Sequence, residues 1–434
     1  MTAALRPFGV ADQLNCYFDS AAEPSNVHLE AWLPGHLDAG RLRAAVAAVL
    51  AAQPAARACR AGNGRWRPAY RWRIPPAASD DPVTVTSWHA EPELDAARTS
   101  FLSAAPPLDQ APPFRLLLAA GPGQDSLILN ANHAAFDGHS CLVLLRLICA
   151  AYSGQDTNGP DTNTAANAGA ARAAAARPAQ AEARPGPVPR FRPARVARVA
   201  PSSRDRHAPG YGFRLLGWDG VPSLPQRHGP GPRPTVNDLL VAALIQTVEQ
   251  WNAARDRRAA PVKITVPLNM RSPGHDGDLG NLSAICTVTA PVPGAGRDLL
   301  AVVAAQTSRV KRQPPAGEVG AALTAMVRAP LPAQAKRGLL RLAVRCAGPL
   351  ISDTSLVSNL GHVGDPPSFG SLVPVRLWFS TTAHMPRGLS VGAVTVAGQL
   401  QLCFRYRYAL LDDDAAAQFA GQYACVLSSL AAGR

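Results

Sequence analysis

The stretch LILNANHAAFDGHS, residues 127–140, decides how this chain is read. SLILNAN (126–132) reads as a strand, and the GPGQD turn before it joins it to FRLLLAA (114–120) as a predicted hairpin. After Gly138 the pattern HSCLVLLRLICAAYSG switches to the helical period and stops at Gly154. His133 therefore closes a strand and Asp137 opens a helix. Gly138 is expected to tolerate positive φ, letting the backbone turn sharply behind the imidazole. A neutral imidazole, with an ordinary pKa of about 6.5, is suited to accept a proton at cellular pH.

Two jobs are open for Asp137. It can orient the imidazole as the acid of a triad does, or it can turn away and hold the corner through an ion pair. Four residues around a turn is awkward geometry for the first. The second has a natural partner in Arg271, at the end of VPLNMR (266–271), because a carboxylate in a low-charge interior is costly unpaired. His133, Asp137 and His139 lack a fourth ligand nearby in sequence, and His139 lies inside the predicted helix, so no metal is expected. Cys141, on an apolar helix, is read as core and not as a nucleophile.

Working outward, NVHLEAWLP (26–34) is strand-like and AGRLRAAVAAVLAAQ (39–53) is helical. Residues 155–209 shift to Pro, Ala and Arg with hardly any large apolar residues, which marks a low-complexity linker. The second half opens with YGFRLLGW (211–218). TVNDLLVAALIQTVEQWN (235–252) follows, a helix with Thr235 and Asp238 placed as a capping box. Strands are predicted at 262–271, 282–292, 355–361, 375–383, 389–396 and 399–408, and helices at 297–312, 333–347 and about 412–431. Each half is thus a sheet with helices laid against it, an α+β chain divided into 1–154, the linker 155–209, and 210–434.

The bulk numbers agree. A chain of 434 residues is long for one core, and its 47% hydrophobic content is ample for two. Its 17% charged residues lie well below the usual quarter, which excludes a disordered, solvating chain. The net charge of +13 comes with only Lys263, Lys311 and Lys336; the other basic residues are arginines scattered among Ala, Gly and Pro, as composition bias produces. With no aromatic-interleaved basic run, nucleic-acid binding is not expected, although the positive field suits an acidic partner. The eight cysteines are widely spaced without CxxC pairs, as in a reduced compartment. No basic region followed by an apolar core opens the chain, and no apolar run reaches 18 residues. A cytoplasmic protein without a membrane span is expected.

NHAAFDG (132–138), VNDLLVAALIQ (236–246), VPLNMR (266–271) and VSNLG (357–361), in that order, resemble the condensation-domain branch of the chloramphenicol-acetyltransferase-like acyltransferases. That branch includes condensation domains of nonribosomal peptide synthetases, polyketide-associated acyltransferases and wax-ester-synthase-like enzymes. The resemblance covers nearly the whole chain. It implies two acetyltransferase-like subdomains, each a two-layer sandwich, set in a V with a tunnel at their interface. His133 matches the second His of the family's HHxxxDG motif, which serves the nucleophile as general base. Asp137 and Gly138 complete the motif, and Arg271 matches the ion-pair partner of the acid. Asn132 stands where the family has its first His, and QPAARA (53–58) is an eroded form of a His-Pro-x-Leu-Arg run. Ser358 and Asn359 match a segment near the tunnel floor and can donate hydrogen bonds to substrate; a strand-end turn is the other reading.

The implied activity is that of a free-standing condensation-type acyltransferase of natural-product biosynthesis, forming an amide or ester. The donor is a phosphopantetheine thioester on an acyl or peptidyl carrier protein, with coenzyme A second; the acceptor is a small amine or alcohol. No bound cofactor is expected. A coenzyme-A-dependent O-acyltransferase of a lipid or polyketide alcohol, and a non-catalytic condensation-like recruitment module, are the alternatives.

Overall fold

The computed structural model describes residues 5–155 and 196–433, apart from 63, 65, 204, 226–230, 273, 293–297 and 313–317. Most of the expected linker, 156–195, therefore lies outside the described residues.

In chain order the first half runs β1 (Leu5–Pro7), α1 (Val10–Phe18), β2 (Asn26–Leu33), α2 (Ala39–Ala52), β3 (Cys59–Arg60), β4 (Arg71–Arg73), β5 (Val83–Ser87), α3 (Glu91–Leu102), β6 (Phe114–Ala120), β7 (Asp125–Asn132) and α4 (Gly138–Tyr152). The second runs β8 (Tyr211–Trp218), a helix Val236–Ala253, β9 (Val262–Asn269), β10 (Ser283–Ala290) and three helices, Leu299–Arg312, Glu318–Arg328 and Ala333–Ile351. It ends with β11 (Ser355–Val363), β12 (Arg376–Ser380), β13 (Leu389–Val396), β14 (Gln399–Arg407) and a helix Asp413–Ala431. The α+β class and the sheet-with-helices plan of each half are as the sequence predicts.

Beside a small sheet of order β1-β4-β3, one large sheet has the order β12-β2-β7-β6-β5 and the other β10-β9-β11-β13-β14-β8. The β6–β7 hairpin pairs Phe114 with Ala131 and Ala120 with Asp125, as the turn signal between them requires. α2 and α4 cover one face of the first sheet through Leu42, Val46, Val49, Leu144 and Ile148. The helix Val236–Ala253 lies in the second core, with Leu239 to Ile245 all buried. Its start is the predicted capping box: the Thr235 amide donates to Asp238 Oδ2 at 2.8 Å, and the Asp238 amide to Thr235 Oγ1 at 3.3 Å.

Two features depart from the predicted division. The strand expected at 375–383 belongs to the first sheet, not the second: β12 pairs antiparallel with β2, Leu377 opposite Ala31 and Phe379 opposite Leu29. Its apolar pattern suits either sheet, so pairing is settled by long-range packing that no local signal encodes. Residues 196–203, assigned to the linker, form an extended segment tied to the second core. Val199 and Ala200 are buried, the Ala197 amide donates to the Pro261 carbonyl at 2.8 Å, and Trp251 Nε1 donates to the Ala200 carbonyl at 2.9 Å. The run VARVA supplies apolar residues that the preceding composition lacks.

The halves also interlock elsewhere. Val327, Ala333 and Leu340 enter the first core, and Arg341 Nε donates to the Tyr17 carbonyl at 3.1 Å. The two sheets meet where β13 crosses β12, at Gly392: a Cβ there would lie 1.9 Å from the Phe379 carbonyl oxygen, so only glycine permits the crossing.

Candidate active site

The β7–α4 corner forms as the sequence predicts. The His133 amide donates to the Ser25 carbonyl at 2.9 Å, and the Ala135 and Phe136 amides both donate to the Asn132 carbonyl at 3.0 Å. Asn132 supports the corner from below: its Nδ2 donates to the Pro106 carbonyl at 2.9 Å and its Oδ1 accepts from the Ala134 amide at 3.0 Å. Asp137 is the N-cap of α4, accepting from the Ser140 amide at 2.8 Å. Gly138 is not a positive-φ residue. It is needed for space, because a Cβ would lie 2.6 Å from the Phe379 ring and 2.8 Å from Leu360.

Asp137 and Arg271 form a buried, bidentate ion pair, Nη1 to Oδ2 at 3.0 Å and Nη2 to Oδ1 at 3.1 Å. The Leu282 amide (2.8 Å) and Ser283 Oγ (3.1 Å) also donate to Asp137 Oδ2. These donors hold its carboxyl below the ordinary range against the opposing effect of burial, and none of them is His133. Of the two jobs open to Asp137, the geometry is that of the ion pair and cap. The same loop reaches the corner a second time through Asn281, whose Nδ2 donates to the His133 carbonyl at 2.9 Å. Sequence reasoning missed Asn281, because nothing local marks a loop amide 148 positions from the residue it supports.

His133 Nδ1 lies 3.1 Å from the Phe136 carbonyl oxygen. A carbonyl only accepts, so Nδ1 carries the proton and Nε2 the lone pair. Among the described residues no protein group bonds Nε2. The residue keeps partial access to water, yet burial is the largest influence on its pKa and lowers it. The nearby charge of Asp137 opposes the shift, and Arg405 reinforces it. His384, with Nε2 3.4 Å from the Pro24 carbonyl, is depressed to about 3 by burial and by Arg405 and Arg387. His384, Arg387 and Arg405 escaped the sequence reading, although the alternating arginines of CFRYRY on a strand carried a usable signal of inward-facing charge.

Ser358 and Asn359 lie within β11, opposite Gly392 and Ala393. Asn359 Oδ1 accepts from the Gly361 amide at 2.8 Å, at an irregularity of the strand where Gly361 has φ +79°. Asn359 thus sits at a bulge inside the strand rather than at a strand-end turn, and among the described residues no hydrogen bond joins it or Ser358 to His133. β11 reaches the corner instead through Leu360. His139 is engaged with the Asp276 carbonyl at 3.0 Å, and Cys141 is buried with its thiol pKa pushed well up by burial. A cavity of about 640 Å³ lies between residues 196–201 and 257–261 and shares no residue with this site.

Comparison with known proteins places this geometry. No family's sequence profile matches the chain. The uncharacterized protein Rv2305 of Mycobacterium tuberculosis is 32% identical over 440 residues, covering 98% of this chain and 99% of that protein. The first condensation domain of the calcium-dependent antibiotic synthetase, in complex with a substrate analogue, superposes with a TM-score of 0.67 at 14% identity, covering 100% of this chain and 97% of that one. A mutant starter condensation domain of rhizomide synthetase, in complex with C8-CoA, superposes at 0.64 with 15% identity, covering 99% and 95%. The chain thus belongs to one family with the mycobacterial protein, and its two halves are joined in the condensation-domain fold.

Proposed function

We propose that this protein transfers an acyl group from a thioester to an amine or hydroxyl acceptor, with Nε2 of His133 as the general base. The observation that carries the reading is the state of His133. Its tautomer is set by the Phe136 carbonyl, its other nitrogen meets no protein group among the described residues, and burial lowers its pKa below the ordinary value. The fold supports it, since rhizomide synthetase's domain with the same architecture is in complex with C8-CoA.

The acceptor's N–H or O–H gives its proton to Nε2 as the nitrogen or oxygen attacks the thioester carbonyl. The tetrahedral intermediate then collapses, the C–S bond breaks, and the departing thiolate takes the proton back from the imidazolium. The products are an amide or ester and a free thiol, with no acyl-enzyme. Holding donor and acceptor together contributes up to about 7–11 kcal/mol in ideal cases, and base catalysis about 10²–10⁴-fold. The donor we favour is a phosphopantetheine arm on a carrier protein, which suits the +13 charge; coenzyme A is the second source.

Incubating the protein with acyl-carrier protein and with acyl-coenzyme A in parallel, with amine and alcohol acceptors, and following thiol release tests this. His133→Ala is expected to lower turnover by about 10²–10⁴-fold while the protein stays folded. Equal turnover by the variant would remove His133 as the base, and no thiol release from either donor would leave the recruitment-module reading.

A further inference from the structure

Arg405 lies on β14 with its side chain wholly buried, and among the described residues neither its Nε nor its Nη2 has a hydrogen-bond partner. Only Nη1 is engaged, donating to the Asn26 carbonyl at 3.3 Å. The guanidinium lies 4.5 Å from the centre of the Tyr211 ring and 5.4 Å from that of Phe213. Aromatic faces attract a cation but do not fill its hydrogen-bonding edge. No carboxylate among the described residues acts on Arg405. The neighbouring Arg387 and Arg407 each have an unpartnered Nε too. Of the acids in this region, Glu23 accepts from the Met385 amide, and Asp353 pairs with Lys263.

The same protein shows what such an edge holds when it is filled. Arg98, also buried, donates from Nε and Nη2 to the two oxygens of Glu30, at 2.5 and 2.7 Å. Those are the two atoms that stand empty-handed on Arg405, a fork matched to one planar carboxylate. Its location is also informative. Asn26, whose carbonyl Arg405 touches, pairs across the sheet with Asn132, and the adjacent Ser25 carbonyl holds the His133 amide.

We propose that the Nε/Nη2 edge of Arg405 seats a carboxylate carried by the substrate, beside His133. The phosphates of a pantetheine donor stand a whole arm away from the thioester carbon, so this anion belongs to the acyl group or to the acceptor. Neither edge atom touches bulk water, whereas His133 and His384 keep partial access, so the proposal requires the edge to open toward those two residues when the carboxylate is seated. The assignment rests on the proposed acyl transfer only for the origin of the carboxylate.

Two arms of a binding experiment separate the sources. In one, the melting temperature is followed with succinyl-coenzyme A against butyryl-coenzyme A; in the other, with L-alanine and L-lactate against their amides. In at least one arm the carboxylate is expected to stabilise the protein where its neutral counterpart does not, and that arm names the source. Arg405→Met should weaken that carboxylate's binding about ten- to a hundredfold. The variant should also melt no lower than the parent, because an unpaired buried charge has been removed. Arg405→Lys, which keeps the charge and loses the fork, should lose affinity as well, and serves if the Met variant does not fold. No discrimination in either arm, or discrimination that survives Arg405→Met or Arg405→Lys, overturns the proposal. Because the readout is binding, carboxylate discrimination without thiol release in the earlier assay would sink the transfer reading alone.

Discussion

Asp137 and His133 sit four residues apart, and among the described residues no hydrogen bond joins them. The oxygens of Asp137 are spent on the start of α4, within the first half, and on Arg271, the Leu282 amide and the Ser283 hydroxyl, which join the first half to the second. Arg271 is buried with it, so Asp137→Asn leaves a guanidinium without its counter-charge. Breaking a buried pair by removing one partner costs about 3–5 kcal/mol. The expected result is a lower urea midpoint together with lower activity, and partial recovery of the midpoint in the double variant Asp137→Asn with Arg271→Met, where the orphan charge is gone. A stable but inactive Asp137→Asn protein would instead put the carboxylate in the chemistry.

At the scale of elements, the join between the sheets hangs on one missing side chain. Gly392 of β13 passes so close to β12 that a Cβ would overlap the Phe379 carbonyl oxygen at 1.9 Å, and a backbone atom held in the β12–β2 pairing cannot swing aside. Gly392→Ala is therefore expected to exceed the about 1–3 kcal/mol of ordinary overpacking. Gly217→Ala on β8, where the nearest atom is the Gln401 side-chain oxygen at 3.5 Å, should shift the urea midpoint little. Equal midpoints for the two variants would refute the tight crossing. The same crossing shows what the sequence could and could not tell. The β6–β7 hairpin, the β7–α4 corner and the capping box at Thr235 were legible because each is written in adjacent residues. The sheet that β12 joins, the support of Asn281 and the isolation of Arg405 were not, because each depends on a partner far along the chain. Arg271 lies between the two cases: 134 positions from Asp137, it was reachable by asking what a carboxylate in a low-charge interior requires.

At the scale of the molecule, three of the histidines at the seam between the halves have lowered pKa values. His28 Nδ1 lies 3.1 Å from Ser380 Oγ of β12, His384 meets the Pro24 carbonyl, and His133 is held between Ser25 and Asn281. Burial is the largest influence on all three and lowers their pKa values, that of His384 to about 3. The sign follows directly. Below about pH 6.5 the unfolded chain takes up protons that the folded chain refuses, so stability falls as pH drops from there towards the folded values, and rises to a plateau above it. Asp137, with its pKa lowered, adds a further loss only below its ordinary 3.8, while Asp19 and Glu23, raised by burial, pull the other way in the acid range. Each histidine contributes a slope of up to about 1.4 kcal/mol per pH unit where the unfolded chain binds its proton and the folded chain does not. Urea unfolding across pH 5–8 should show this rise and then level off, with His384→Phe flattening part of it. A profile flat from 5 to 8 would mean that these imidazoles protonate as readily in the folded protein as in water, and a His133 already charged near neutral pH has no lone pair to offer an acceptor.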